Sequence, residues 1–209
     1  MKQRIVILAL ALVLGGCSLG RNGPAPTLYD LGADQRPAPA LAARAPIALA
    51  FGAVPALSDA GMIWRIGDSA SPRAYAQARW ATPPSELVRQ RLVERLSRQG
   101  PVLAEPPAAG VPQVQVTLTR FEQVFQADGS ASEGRLAMQA VLLADRSVVA
   151  QLRIDRAVPA SSQDAEGGAR ALRQATDEAA DELAAWLART MPPDAPMARG
   201  AVRAPSARR

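Results

Sequence analysis

Apolar residues recur at every second position in three neighbouring stretches of the chain. Val114, Val116 and Leu118 alternate with Gln115, Thr117 and Thr119, and Leu136, Met138, Ala140 and Leu142 repeat the pattern. Val148, Ala150, Leu152 and Ile154 repeat it again. A period of two marks half-buried strands. The links between them, Asp128-Gly129 and Asp145-Arg146-Ser147, are turn formers, so the spacing predicts an antiparallel meander. The first stretch breaks its own parity, because the next large residues are Phe121 and Phe125. A slip by one residue would turn those rings to the other face, which predicts a bulge at Thr119 or Arg120.

Upstream, Ile47 to Phe51, Met62 to Ile66 and Arg73 to Trp80 read as three shorter strands, and Thr27 to Gly32 as a brief one ahead of them. Ala33 to Pro46 is rich in proline and alanine and reads as irregular. Two helices are predicted. The first has Thr82 as cap, Pro83 at its first position and Glu86 in its first turn. Its stripe is Val88, Leu92 and Leu96, with Arg89, Arg91, Glu94, Arg95 and Arg98 on the expected wet side and Gly100-Pro101 as the stop. The second opens at Ser162 or Asp164 and carries Leu172, Thr176, Ala179, Leu183, Trp186 and Leu187 on one face. Strands, helix, strands, helix with short links predict an α+β domain. Its sheet is largely antiparallel, with two amphipathic helices on one face.

The ends differ from this body. Lys2 and Arg4 precede an unbroken apolar run, Ile5 to Leu14, closed by Gly15-Gly16-Cys17. A basic flank, a short apolar core and small residues before a cut site are the marks of an export signal. The run is well short of the ~20 residues that span a hydrocarbon core. Leu14-Gly15-Gly16-Cys17 looks like a bacterial lipobox, which makes Cys17 the expected site of lipid attachment and residues 1–16 a lipoprotein signal peptide. Cys17 is the chain's single cysteine, so it has no intramolecular disulfide partner, and acylation gives the thiol a use. Ser18, rather than Asp, follows it; by the enterobacterial sorting rule this resembles an outer-membrane address, with the inner membrane as the other option. Residues 17–26 read as a flexible tether of at most ~36 Å. Residues 27–191 form the single domain, and 192–209 a disordered basic tail.

Charge supports that division. Of 24 basic and 19 acidic residues, two basic ones lie in the leader, and the tail has four arginines against one aspartate. The body between them is balanced, so it carries no nucleic-acid footprint. There is no histidine, and the only lysine is Lys2. Those absences exclude Ser-His-Asp and Cys-His catalysis, Schiff-base chemistry and a phosphate-loop lysine. Zinc sites built on histidine or cysteine are excluded within one mature chain. No cofactor or metal is expected, and the chain does not read as an enzyme. Carboxylate or tyrosine chemistry is what remains, and Asp177, Glu178, Asp181 and Glu182 are the carboxylate candidates. Asp177 and Asp181 fall opposite the apolar stripe, which predicts a solvated face instead.

Among the aromatics, Trp64, Tyr75, Trp80, Phe121 and Phe125 dominate a small inventory. Each is either core or part of a surface that contacts a partner or lipid. Tyr75, Trp80, Phe121 and Phe125 are the candidate partner-contact residues; Tyr75 and Phe125, near strand ends, are the better placed for exposure. Trp186 belongs to the core.

Several of these residues follow a known order: Tyr29-x-Leu31 after the lipobox, Tyr75 ahead of Arg79-Trp80, Pro83-Pro84 opening a leucine-rich helix, Phe121-Glu122-Gln123-Val124-Phe125, and Pro159 before a final helix with Trp186. In this the chain resembles the ABC-type transport auxiliary lipoprotein family from Tyr29 to Leu187, with Ala33 to Ala45 and the tail outside the likeness. The resemblance implies a periplasm-facing lipoprotein held in a membrane by its lipid anchor. Its partner would be a periplasmic substrate-binding protein of a mammalian-cell-entry (MCE) type ABC system, which moves lipid between membranes. The implied role is that of a non-catalytic docking element, and since similar proteins form rings, a homo-oligomer is part of the expectation. The competing reading is an envelope-assembly lipoprotein that chaperones or scaffolds an outer-membrane protein.

Overall fold

The computed structural model describes residues 24–37, 39–105 and 108–191. The leader, Cys17 and the basic tail lie outside the described residues. Eight strands form one sheet: β1 (Thr27–Tyr29), β2 (Ile47–Ala53), β3 (Gly61–Ile66), β4 (Arg73–Trp80), β5 (Val102–Leu103), β6 (Gln113–Phe125), β7 (Ser132–Ala144) and β8 (Ser147–Pro159). Helix α1 (Pro84–Leu96) follows β4, and α2 (Ala165–Thr190) closes the domain.

Strand β6 is the spine. Along one side it pairs antiparallel with β7, which pairs antiparallel with β8, giving the predicted meander. Its other side serves two strands in turn: Ala48–Ala53 of β2 lie parallel to Gln113–Leu118, and Trp64–Ile66 of β3 lie parallel to Gln123–Phe125. A 3-10 turn at Pro55–Leu57 steps the chain from the first to the second. β4 pairs antiparallel with β3, while β1 and β5 add as short parallel strands on β4 and β2. The fold is α+β, and its two longest ladders are antiparallel. The sequence pattern did not predict the parallel pairings or β5.

The β6–β7 register shifts between Leu118 and Arg120. This is the predicted bulge, and it returns Phe121 to the face of Val114, Val116 and Leu118, all buried. A second irregularity shifts the β3–β4 register between Gly61↔Arg79 and Ile63↔Ala74. Because of it Tyr75 and Trp80, which a regular strand would turn to opposite faces, both turn inward.

The helices cover one face. Val88, Leu92 and Leu96 of α1 and Leu172, Ala175, Ala179, Leu183 and Leu187 of α2 join the β-sheet side chains in one core. Asp164 caps α2 by accepting from the Gly167 amide at 2.8 Å. α1 departs from expectation: its cap is Pro83 rather than Thr82, Pro84 is its first residue, and no side chain caps it. Gly134 on β7 lets α2 approach, since a Cβ there would meet the Leu172 nitrogen at 2.7 Å and the Ala171 carbonyl carbon at 2.8 Å.

The expected wet face of α1 requires correction. Arg91 and Arg95 are buried, because α2 lies beside α1 and presents Asp177 and Asp181 at the matching four-residue spacing. Arg91 pairs with Asp177, and Arg95 with Asp181 at 2.6 Å. The predicted solvated face of α2 is therefore half of an interhelical ladder, and Asp177 is itself buried. The segment after β1 is strapped over this ladder. Arg91 donates to the Leu31 carbonyl at 2.9 Å, and Arg173 to that of Ala33 at 2.8 Å. Asp34, with 0% of its side chain exposed, bridges Arg95 at 2.5 Å and Arg98 at 2.6 Å. Further along the same irregular segment, buried Arg44 donates to the Leu96 carbonyl at 2.9 Å and to those of Gly100 and Pro101. It closes the C-terminus of α1, where a cation is favourable. The segment lacks regular structure yet is tightly held.

Candidate functional site

The helix-free end of the β3–β4–β6 register carries an open apolar groove. Trp64 lies opposite Arg73 on β4 and Gln123 on β6, and Ile66 lies opposite Phe125. These registers gather the C-terminal ends of β3 and β6 with the N-terminal end of β4. Trp64, Ile66, Ala74, Tyr75, Ala76 and Phe125 line the resulting space of about 650 Å³, and the β6–β7 hairpin and Gln163 form its rim. Trp64 stands edge-on to Phe125 at 5.7 Å between ring centres and tilted against Tyr75 at 6.1 Å. The Arg73 guanidinium sits 5.5 Å from the Trp64 ring centre, within cation–π range. Ile66 remains 43% exposed.

One side of the groove is anchored to the core by a polar relay. The Tyr75 hydroxyl donates to Gln123 Oε1 at 2.8 Å, and Gln123 Nε2 donates to Ser132 Oγ at 2.8 Å. A Cβ on Gly168, in the first turns of α2, would lie 2.1 Å from Gln123 Oε1, so glycine is what makes room for the amide. Burial, with the negative charge of Asp164 and the neighbouring Tyr29, pushes the Tyr75 phenol up to about 12. It is therefore held as the neutral phenol that donates to Gln123.

The sequence-predicted contact aromatics separate into two pairs. Tyr75 and Phe125 meet in the groove. Trp80 and Phe121 are each 1% exposed and pack on one another at 5.2 Å inside the core, which corrects their expected place on a surface. The two register shifts are the cause, since they turn both rings toward the helices. Cys17, the expected lipid site, lies outside the described residues. Trp64 and Ile66 were not singled out as contact residues. Their signal was present: the alternation of Met62, Trp64 and Ile66 continues past the point where α2 covers the sheet.

The four carboxylates of α2 considered for acid–base work all face arginines. Asp177 pairs with Arg91 and Asp181 with Arg95, while Glu178 lies 3.7 Å from Arg36 and Glu182 2.5 Å from Arg156. Burial pushes the Asp177 carboxyl up despite the Arg91 charge. Among the described residues no three histidine, cysteine, aspartate or glutamate side chains are grouped to hold a metal, and no helix is long and apolar enough to cross a membrane.

Comparison with known proteins places this geometry. Residues 29–184 match the family described as the ABC-type transport auxiliary lipoprotein component. No protein of curated function matches in sequence. A crystal structure of a Xanthomonas campestris protein of the DUF330 family superposes with a TM-score of 0.67 at 23% identity, covering 78% of this chain and 96% of that one. A second crystal structure, of an uncharacterized protein, gives a TM-score of 0.62 at 17% identity over 78% of this chain and 99% of that one. At these identities the likeness speaks for the fold.

Proposed function

This chain belongs to the ABC-type transport auxiliary lipoprotein family, and on that premise we propose that it is a non-catalytic docking element of an MCE-type intermembrane lipid transport system. Acylated Cys17 holds it on the periplasmic face of the outer membrane. The domain offers itself to the system's periplasmic substrate-binding protein, with half-buried Tyr75 and Phe125 as its contact residues.

The observation that carries this reading is the groove itself. It is mostly apolar, aromatic and open; Tyr75 in its wall is held neutral by burial, and the carboxylate of Asp128 sits on the hairpin at its rim. Such a surface suits contact rather than turnover. The strapping of Leu31 to Arg36 across both helices also suits a tethered module, since strain on the N-terminal segment passes into the core through buried ion pairs.

The test is affinity capture of the full acylated chain from solubilised envelopes, with the co-purified proteins identified by mass spectrometry. Permease, ATPase and substrate-binding subunits of one ABC system are expected, and Cys17→Ser should release the chain from the membrane fraction. Capture of an outer-membrane protein alone would favour the envelope-assembly reading. An acylated chain that brings down neither would overturn both.

A further inference from the structure

Three features fix which end of the domain its tether leaves. β1 runs parallel to β4, with Thr27 opposite Ala78 and Tyr29 opposite Trp80. Residues ahead of Thr27 are thus directed toward the Arg73–Ala76 end of β4, and Pro24 to Pro26 are exposed. That end of β4 is the one lining the groove. Finally, Cys17 lies ten positions before Thr27, a reach of at most ~36 Å when extended. The described chain therefore enters the domain at the groove end.

We propose that the occupant of this groove is the bilayer interface: the rings of Trp64 and Phe125 and the Ile66 side chain rest among the lipid headgroups and upper acyl chains of the membrane that holds the anchor. The composition of the surface matches that environment. Trp and Tyr carry an apolar body and a polar edge, and favour the headgroup level. Ile66 projects farther into solvent than a core residue would. Arg73, stacked on Trp64, has the stem length to place its guanidinium at the lipid phosphates. The anchor holds this surface at high local concentration near the lipid, so a weak contact suffices to set orientation. With this end down, the strap, the interhelical ladder and the β7–β8 hairpin turn toward the periplasm and the protein partner. The inference rests on the lipid-anchored reading above but not on the identity of the partner.

The tryptophans supply a direct test. The chain has three, of which Trp80 and Trp186 are 1% and 8% exposed, so Trp64 is the one a lipid-borne quencher can reach. The full acylated protein is inserted through its own anchor into phosphatidylethanolamine–phosphatidylglycerol vesicles, with or without phospholipid brominated near the top of the acyl chains. Emission in brominated vesicles is expected to fall by most of the Trp64 contribution, and the Trp64→Phe variant should show no bromine-dependent loss. Ile66→Asp, at an exposed position, should keep the fold by circular dichroism and lose most of the quenching. Equal emission of the wild-type protein in the two vesicle types would overturn the proposal. So would quenching that persists in Trp64→Phe, or a Trp64 change that follows protein concentration or added partner instead of bromine. Affinity capture of transporter subunits is read separately, so failure of the groove–bilayer contact and failure of the docking role are distinguishable.

Discussion

The two ends of this domain reverse the usual distribution of side chains. At the helical side, Arg91, Arg95, Asp34 and Asp177 are buried in a mesh of ion pairs. At the groove, Trp64, Phe125 and Ile66 face outward. The contrast shows that burial follows which elements lie side by side, and that residue type only biases it. A guanidinium can be enclosed when carboxylates and carbonyls meet all its donors, because the penalty of burying a charge falls on unpaired groups. An aromatic ring stays in contact with solvent where a strand outruns the helix that would have covered it.

The largest effect should come from opening the ion-pair mesh. Asp34→Ala leaves Arg95 short of one carboxylate and frees the strap, and breaking a buried pair from one side typically costs about 3–5 kcal/mol. Urea unfolding should show that loss, while lipid quenching at Trp64 in the surviving folded protein should be unchanged. A loss under 1 kcal/mol on that scale would mean that the mesh contributes little.

Next comes the contact that sets the two regions apart, the seat of α2 on β7. Gly134→Ala pushes a methyl against the backbone at Ala171 and Leu172, where no side-chain rotamer gives way, and overpacking of this kind costs about 1–3 kcal/mol. The urea midpoint should fall with little change in slope.

A smaller change sharpens the groove side. Tyr75→Phe keeps the ring and removes the hydroxyl bonded to Gln123 Oε1. The loss should be about 0.5–1.5 kcal/mol by the usual worth of such a bond, with the groove's contact behaviour retained. Loss of contact without loss of stability would move the hydroxyl from wall support to binding.

The smallest effect lies at the start of α1. Hydrogen bonds from Arg89 and Gln90 hold the Glu86 carboxyl down, from 4.5 to about 2. The folded state thus binds its proton less tightly than the unfolded chain, and the stabilisation is present above pH 4.5 and lost as pH falls through about 2. Glu86→Gln should lower stability slightly at neutral pH, match the wild type once Glu86 is protonated near pH 2, and so flatten the acid limb of the stability curve between the two. As an exposed site it is screened, so the effect will be slight.

Much of the fold could be read along the chain. The meander, the bulge after Leu118, the Asp164 start of α2 and both helical stripes follow from local periodicity and turn chemistry, because each involves residues close in sequence. The proposal of lipid attachment at Cys17 rests on the local pattern of residues 14–17, and the absence of histidine and of any lysine but Lys2 is composition alone. Half of the candidate surface was legible too, Tyr75 and Phe125 lying at strand ends where cover runs out. What periodicity does not hold is which neighbour arrives from a distance. The pairing of β2 and β3 on one edge of β6, the second register shift that draws Tyr75 and Trp80 to one side, and α2 lying along Arg91 and Arg95 are all long-range. Those meetings, set by packing across the whole sheet, decided that Trp80 and Phe121 go inside, that two arginines join them, and that Trp64 is left at the surface.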